Sequence, residues 1–212
     1  MSTLDLEEQE QLASLKAWWK EYGNLIVITV TVLLLSIAGW NAWNWYRGSQ
    51  TMEAASLYET LQSAARVNDL KAARDASGAI LEKHSATTYG PLAALVSAKM
   101  HFQAGDLKTA RAQLQWVTEN SSSDELKSVA RLRLANVLLD EAAPDDALKT
   151  LSAKPSPGFD ALFESMRGDI FLVQKKHGEA RDAYRSALEK AGNNDAGLSE
   201  QLRRKVDAMG GG

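Results

Sequence analysis

The chain of 212 residues is 45% hydrophobic and 24% charged, contains no cysteine and has a formal net charge of −3. Disulfide bonds are therefore excluded, and a chain without them suits either the oxidising or the reducing side of a membrane. The two lysines and five acids of the first 46 residues account for the net charge, so the remainder is formally neutral. A neutral domain lacks the basic surface of nucleic-acid-binding proteins, and we exclude nucleic acid as a partner.

Residues 1–22 are predicted to be an acidic tail. Within it, Leu12, Leu15, Trp19 and Tyr22 would share one face of a helix. This pattern fits an amphipathic helix that lies on the membrane interface. It also fits a helix that docks on a membrane or cytoplasmic partner, and the sequence leaves both interpretations open.

Residues 22–46 form an uninterrupted run without a charged side chain. Twenty-five helical residues reach roughly 37 Å, enough for a hydrocarbon core of about 30 Å. Aromatic residues flank both ends of the run, as in proteins that span a bilayer; they are Trp18, Trp19, Tyr22, Trp40, Trp43, Trp45 and Tyr46. We predict a transmembrane anchor helix over residues 23–46, with the lipid bilayer as its surroundings.

A cleaved signal peptide is the competing interpretation of this segment, since Ser36 and Ala38 match a small-x-small cleavage pattern. The residues before the apolar core are acidic, however, whereas a signal peptide begins with basic residues. The core is also longer than the usual 7–15 or so residues, and it continues past Ala38 into an aromatic stretch. We therefore predict a retained anchor.

The orientation of the anchor is weakly encoded. Lys16 and Lys20 precede it, whereas Arg47 and then Arg66 follow it. The positive-inside rule favours a cytoplasmic N-terminus by this small excess only. Charge counting alone leaves the sidedness open.

A short pattern recurs along the rest of the chain. It occupies residues 68–74, 105–111, 142–148 and 175–181, with spacings of 37, 37 and 33 residues. Periods near 34 residues with a helix–turn–helix pattern are typical of tetratricopeptide repeats. Because one helix pair cannot bury its apolar side alone, the pairs are expected to stack.

The predicted fold is therefore all-α: a transmembrane helix followed by a tetratricopeptide-like, right-handed solenoid of about four helix pairs. We assign this domain to residues 47–209, with a capping helix at its end and a disordered tail at 210–212. A helical bundle without repeats is the alternative. Asn68 is expected to adopt the left-handed turn conformation that Gly105 adopts in the second unit.

The fourth unit carries the clearest repeat pattern. Gly168 and Phe171 lie on its first helix, and Ala180, Tyr184 and Ala187 lie on its second. Small residues at these places let two helices approach closely, and the aromatic residues fill the space between them.

The sequence contains no recognisable catalytic constellation. There is no glycine-rich phosphate loop, and the histidines His84, His101 and His177 are too scattered to form a metal-ligand motif. We expect His101 to pack between helices, and His84 and His177 to lie at helix ends where the dipole favours positive charge. The prediction is a non-enzymatic protein without a metal or a cofactor.

One surface is a candidate for partner binding. The first helices of stacked pairs line the concave face of a tetratricopeptide domain, and ligands usually bind there. Polar residues at one equivalent place are accompanied by nearby apolar, aromatic and basic residues, which suits recognition of an extended or helical segment. The alternative is an ordinary solvated face. The candidate residues are Tyr58, Gln62, Arg66, Lys99, Phe102, Asn136, Leu139, Asp169 and Leu172.

Several segments resemble the family of ancillary SecYEG translocon subunits (YfgM-like proteins). They are residues 39–40, 88–95, 124–135, 158–159 and 196–200. Pro91 and Phe159 differ from the residues expected for the family, but both keep the helix-start and packing roles. The resemblance extends over essentially the whole chain.

The resemblance implies a single-pass protein of the Gram-negative inner membrane, with its N-terminus in the cytoplasm and its repeat domain in the periplasm. It implies association with SecYEG and with a membrane-anchored periplasmic chaperone of the parvulin-like PpiD type. It also implies that the domain binds emerging chains and assists their transfer to periplasmic chaperones. No catalytic residues come with the family.

Three functional hypotheses follow. The repeat domain is a binding module for the chaperone or for a translocating polypeptide. Alternatively, the chain is a structural scaffold of a membrane complex, in which the anchor and tail make the contacts. A third hypothesis is a regulator that acts through the cytoplasmic tail on a stress-response regulator.

Overall fold

A computed structural model describes residues 3–192 and 196–210, and these residues form helices joined by turns, without a β-strand. The predicted all-α fold is confirmed. The helices are α1 (Thr3–Arg66), α2 (Leu70–Lys83), α3 (Tyr89–Gln103), α4 (Leu107–Asn120), α5 (Asp124–Asp140), α6 (Pro144–Thr150), α7 (Asp160–Val173), α8 (His177–Ala191) and α9 (Ala196–Ala208). The predicted tail at 210–212 lies mostly outside the described residues.

Helix α1 runs without a break through the predicted tail, the anchor and the start of the repeat domain. The chain divides into two compact units, Met1–Gln50 and Thr51–Gly212, within this helix. The division falls four residues after the boundary predicted at residue 46. No proline and no cap interrupts residues 22–66, so nothing local ends the helix earlier.

The first unit contains the candidate membrane span. Within the described residues, α1 is the one helix long and apolar enough to cross a membrane. Its three central hydroxyls are satisfied internally: Thr29, Thr31 and Ser36 donate to carbonyl oxygens four residues earlier, at 2.8, 2.7 and 2.8 Å. Since lipid offers no hydrogen-bond partner, such internal bonds are what a membrane-spanning helix requires.

In the described residues, the second unit contains four helix pairs and a final helix. The end of α1 packs on α2 through Leu61, Ala64 and Ile80. The other pairs are α3 with α4, α5 with α6, and α7 with α8, and α9 packs on α8. Contacts between α3 and α5 and between α5 and α7 place successive first helices side by side.

The turn inside each pair has the same structure. One residue adopts a positive φ, and the next residue donates its N–H to the carbonyl oxygen five residues earlier, which closes a Schellman motif. The positive-φ residues are Asn68 (54°), Gly105 (78°), Ala142 (57°) and Lys175 (60°). The left-handed conformation predicted for Asn68 is confirmed, and two further turns adopt it without a glycine or an asparagine.

Short-range capping defines several helix starts. The side chains of Asp69 and Asp106 accept hydrogen bonds from backbone N–H groups of α2 and α4. Ser123 caps α5 in the same way, and Pro144 occupies the first turn of α6. Each residue satisfies or removes a backbone donor that the first turn would leave unpaired.

Small residues make the α7–α8 pair tight. Ala180 and Ala187 are fully buried, and Tyr184 is 1% exposed. A Cβ atom added at Gly168 would lie 2.5 Å from the Tyr184 ring, closer than carbon atoms approach. The close approach predicted from the fourth repeat is therefore present, and it depends on the absence of a side chain at Gly168.

Candidate partner-binding groove

Two neighbouring cavities open along the first helices of the repeat domain. One lies between α1 and α3 and has a volume of about 270 Å³. The other lies between α3 and α5, with a volume of about 440 Å³. Lys99 lines both, so the two cavities adjoin at this side chain of α3. We call this pair of cavities the first-helix groove.

Six of the nine predicted surface residues line this groove. Three come from α1, two from α3 and one from α5; they are Tyr58, Gln62, Arg66, Lys99, Phe102 and Asn136. Residues 37 positions apart in the sequence lie side by side because each repeat places its first helix in the same orientation. The structure thus places these six side chains along the two adjoining cavities.

The remaining three candidates have other surroundings. Leu139 is partly buried against the central core cluster, and Leu172 against the cluster formed by α7, α8 and α9. Asp169 takes part in an intramolecular network: it accepts hydrogen bonds from the Tyr184 hydroxyl and from Lys205 Nζ, both at 2.6 Å. These three residues line neither of the two cavities of the groove.

The Asp169 network joins three helices. Lys205 of α9 lies over the Tyr184 ring at 5.0 Å from its centroid, and its Nζ is 3.3 Å from Ser165 Oγ. Burial raises the pKa of Tyr184, and the hydrogen bond and negative charge of Asp169 raise this pKa further. The ammonium group of Lys205 offsets the charge of Asp169, so this carboxylate is already paired.

The sequence interpretation missed several residues that line the groove. Arg133 and Asp140 lie on the same side of α5 as Asn136, and Val137 adds to the apolar floor. Tyr89 lines neither cavity, but it packs against Tyr58 with ring centroids 5.4 Å apart and ring planes tilted by 46°. Arg133 and Asp140 stand three residues before and four residues after Asn136, so helical periodicity within α5 would have found both.

The lining of the groove combines apolar and polar side chains. Its floor contains the buried apolar residues Ala98, Leu114 and Val137, and its rim contains charged and amide side chains. Among the described residues, no group of three or more histidine, cysteine or acidic side chains is placed to hold a metal ion. An apolar floor with a polar rim is suited to hold a polypeptide segment.

The three histidines lie within helices or at helix ends. His101 is buried between helices as predicted, and its Nδ1 lies 2.9 Å from Asp106 Oδ2. The Thr109 hydroxyl and backbone N–H lower the pKa of Asp106, and His101 lowers it further. His84 is the C-cap of α2 as expected. The expectation for His177 was wrong, because it begins α8 at the end of the helix dipole that disfavours positive charge.

Known proteins resemble the chain over nearly its full length. Ancillary SecYEG translocon subunits from Aggregatibacter actinomycetemcomitans, Escherichia coli K12 and Neisseria gonorrhoeae are each 28% identical to it. The three alignments cover 93%, 95% and 96% of this chain, and 94%, 96% and 98% of the relatives. The resemblance inferred from short segments is thus confirmed.

A family model described as a tetratricopeptide repeat-like domain matches residues 16–211. The match includes the apolar part of α1 as well as the helix pairs and α9. The chain therefore belongs to the tetratricopeptide repeat-like domain family.

Proposed function

We propose that the chain is a non-enzymatic ancillary subunit of the SecYEG translocon. The observation that carries this proposal is the alignment with relatives of that name over 93–96% of the chain, which includes both the apolar helix and the repeat domain. Two proteins that share both parts in the same order have the same means of attachment and the same kind of binding domain.

The proposed location is the inner membrane of a Gram-negative bacterium, with a single pass. The N-terminus would lie in the cytoplasm and residues 47–212 in the periplasm. Lys16 and Lys20 before the apolar segment support this orientation, since basic residues are retained on the cytoplasmic side.

The proposed role of the repeat domain is to bind a polypeptide in the first-helix groove. The candidates are a membrane-anchored periplasmic chaperone of the PpiD type and the chains that emerge from the translocon, which the domain would help to transfer to periplasmic chaperones. Support comes from the open groove, whose volume of about 440 Å³ between α3 and α5 leaves room for side chains of a bound segment. Phe102, 36% exposed at its edge, offers an apolar contact.

Site-specific photocrosslinking tests this function. A photoreactive amino acid replaces Phe102 in the groove or, as a matched control, Glu119 on the exposed side of α4. The full-length chain is then placed in membranes that contain SecYEG and its chaperones. We expect crosslinks to SecYEG, to the chaperone or to a translocating chain from position 102 and few from 119.

The outcomes distinguish the alternatives. Association with SecYEG without any crosslink from position 102 would favour the structural scaffold, in which the anchor and tail make the contacts. Failure to associate with SecYEG at all would overturn the proposal. Charge reversal of Asp169 is unsuitable as a test, because it would place a second cation beside Lys205 and disturb the packing of α9.

A further inference from the structure

The charges around the first-helix groove suggest what kind of segment it accepts. We propose, on the basis of the function above, that the groove selects polypeptide segments in which an acidic residue stands beside a large apolar residue. The apolar side chain would occupy the cavity between α3 and α5, and the carboxylate would lie near Lys99.

Three cations are among the described residues that line the groove. Lys99 lines both cavities, Arg66 lines the cavity between α1 and α3, and Arg133 lines the one between α3 and α5. In the described part of the chain, neither Lys99 nor Arg66 forms an ion pair with a carboxylate. Arg133 donates to the Leu95 carbonyl oxygen at 3.3 Å and likewise has no acidic partner.

Asp140 is the acid among the described lining residues of the groove, whereas Glu59 and Asp169 lie outside its two cavities. Asp140 lines the cavity between α3 and α5, about one helical turn beyond Asn136. Glu59 lies on α1 in an adjoining cavity that Lys99 does not line. Asp169 is paired with Lys205 at 2.6 Å. The described side chains that line the groove thus include three cations and one acid, so the groove is net positive and attracts a carboxylate.

The large apolar residue of the bound segment would contact a defined part of the groove. Phe102 is among the few large apolar side chains of the repeat domain that stay exposed, at 36%, and it stands three residues after Lys99 on the same side of α3. Ala98 and Val137 form the floor beneath it. An apolar residue bound against Phe102 would place its sequence neighbour within reach of Lys99, which couples the two features in one short motif.

A peptide-binding experiment tests the selectivity. Three labelled 12-residue peptides are identical except for one position next to a phenylalanine, which is Glu, Gln or Lys. Fluorescence anisotropy measures their binding to the full-length chain in lipid nanodiscs. Because exposed ion pairs contribute little each, we expect the Glu peptide to bind about 3- to 10-fold tighter than the Gln peptide, and the Lys peptide to bind weakest. High salt should reduce the difference.

Substitutions test whether the charge selectivity comes from the groove. Lys99→Glu should remove most of the preference for the Glu peptide, because it replaces one of the three cations by an acid, whereas Phe102→Ala should weaken the binding of all three peptides alike. Lys71→Glu is the matched control, since this lysine is exposed on α2 and lines neither cavity. Equal affinity of the three peptides, no measurable binding, or an equal effect of Lys71→Glu would each overturn the proposal.

The selectivity of the groove and the proposed translocon role can each fail while the other stands. If position 102 crosslinks to a partner while the peptides bind without regard to charge, the selectivity is wrong and the translocon role stands. If the peptides follow the expected order while the chain does not associate with SecYEG, the translocon role is wrong and the groove still selects acidic segments.

Discussion

At the scale of single residues, the α7–α8 pair shows how the absence of one side chain sets the distance between two helices. Gly168 has the Tyr184 ring directly over its Cα, and the ring fills the space that a methyl group would need. The Tyr184 hydroxyl in turn donates to Asp169, the next residue on α7. A glycine, an aromatic ring and a carboxylate thus fix the spacing and register of the pair.

The first prediction concerns Gly168→Ala. The added methyl group would lie 2.5 Å from the buried ring, so the ring or the helices must shift, and we expect a loss of about 1–3 kcal/mol in the free energy of unfolding. Gly78→Ala is the control, since nothing lies within 4 Å of its added Cβ, and its better helix propensity should add up to about 1 kcal/mol. Denaturant unfolding measures both, and a neutral Gly168→Ala would contradict the observed contact.

The second prediction is a pH effect at Tyr184, whose pKa burial and Asp169 raise in the folded chain. Above pH 10 or so the unfolded chain loses this proton and the folded chain keeps it, so the free energy of unfolding falls by up to about 1.4 kcal/mol per pH unit. Below that pH the contribution is fully present. The stability difference between the original chain and Tyr184→Phe should be constant from pH 7 to 9 and shrink above pH 10. A difference that stays constant throughout would contradict the assignment.

At the scale of helices, the four Schellman turns give the domain its regular construction. The same pair of backbone hydrogen bonds closes every turn, although the residue with positive φ is asparagine, glycine, alanine and lysine in turn. A left-handed conformation costs a residue with a Cβ roughly 1–2 kcal/mol. The third and fourth turns therefore form because the packing of their helices outweighs this local cost.

The third prediction follows from that cost. Ala142→Gly should raise the free energy of unfolding by about 0.5–1 kcal/mol, because glycine removes the strain but loses more chain entropy on folding. The control is Ala112→Gly, at an exposed interior position of α4, which should lower it by about 1 kcal/mol. Thermal melting followed by circular dichroism compares the two. Equal losses would mean that the turn carries no strain.

At the scale of the whole molecule, the chain combines an apolar helix fit to cross a membrane with a repeat domain that presents a groove. Residues of the apolar segment are exposed in the first unit, whereas the second unit has its own core clusters. The exposed apolar surface is far larger than a soluble protein tolerates, and a lipid environment accounts for it.

The fourth prediction is the topology. Alkaline phosphatase fused after Gly212 should be active, because this enzyme requires the oxidising periplasm, and a cytoplasmic reporter fused at the same point should be inactive. The expectation rests on the small lysine excess before the anchor and on the proposed translocon role. The opposite reporter pattern would place the repeat domain in the cytoplasm and would exclude periplasmic partners.

Much of the fold could be predicted because its signals are local. Ser123 and Asp106 act as caps within three residues, and Asn68 forms its turn from short-range hydrogen bonds. The repeat period then placed Gln62, Lys99 and Asn136 beside one another. The uninterrupted run without charged side chains also identified the apolar segment, although the continuity of α1 beyond it was not anticipated.

The sequence by itself determined the helices, the repeat register and the apolar span, because each depends on residues close together in the chain. Only the tertiary structure decided which polar side chains of that register stay unpaired. Asp169 and Lys99 occupy equivalent positions, yet Asp169 pairs with a lysine 36 residues away because α9 stacks on the last helix pair. Within the described part of the chain, Lys99 forms no ion pair with a carboxylate. Pairing depends on which elements pack together, and that is a property of the whole stack.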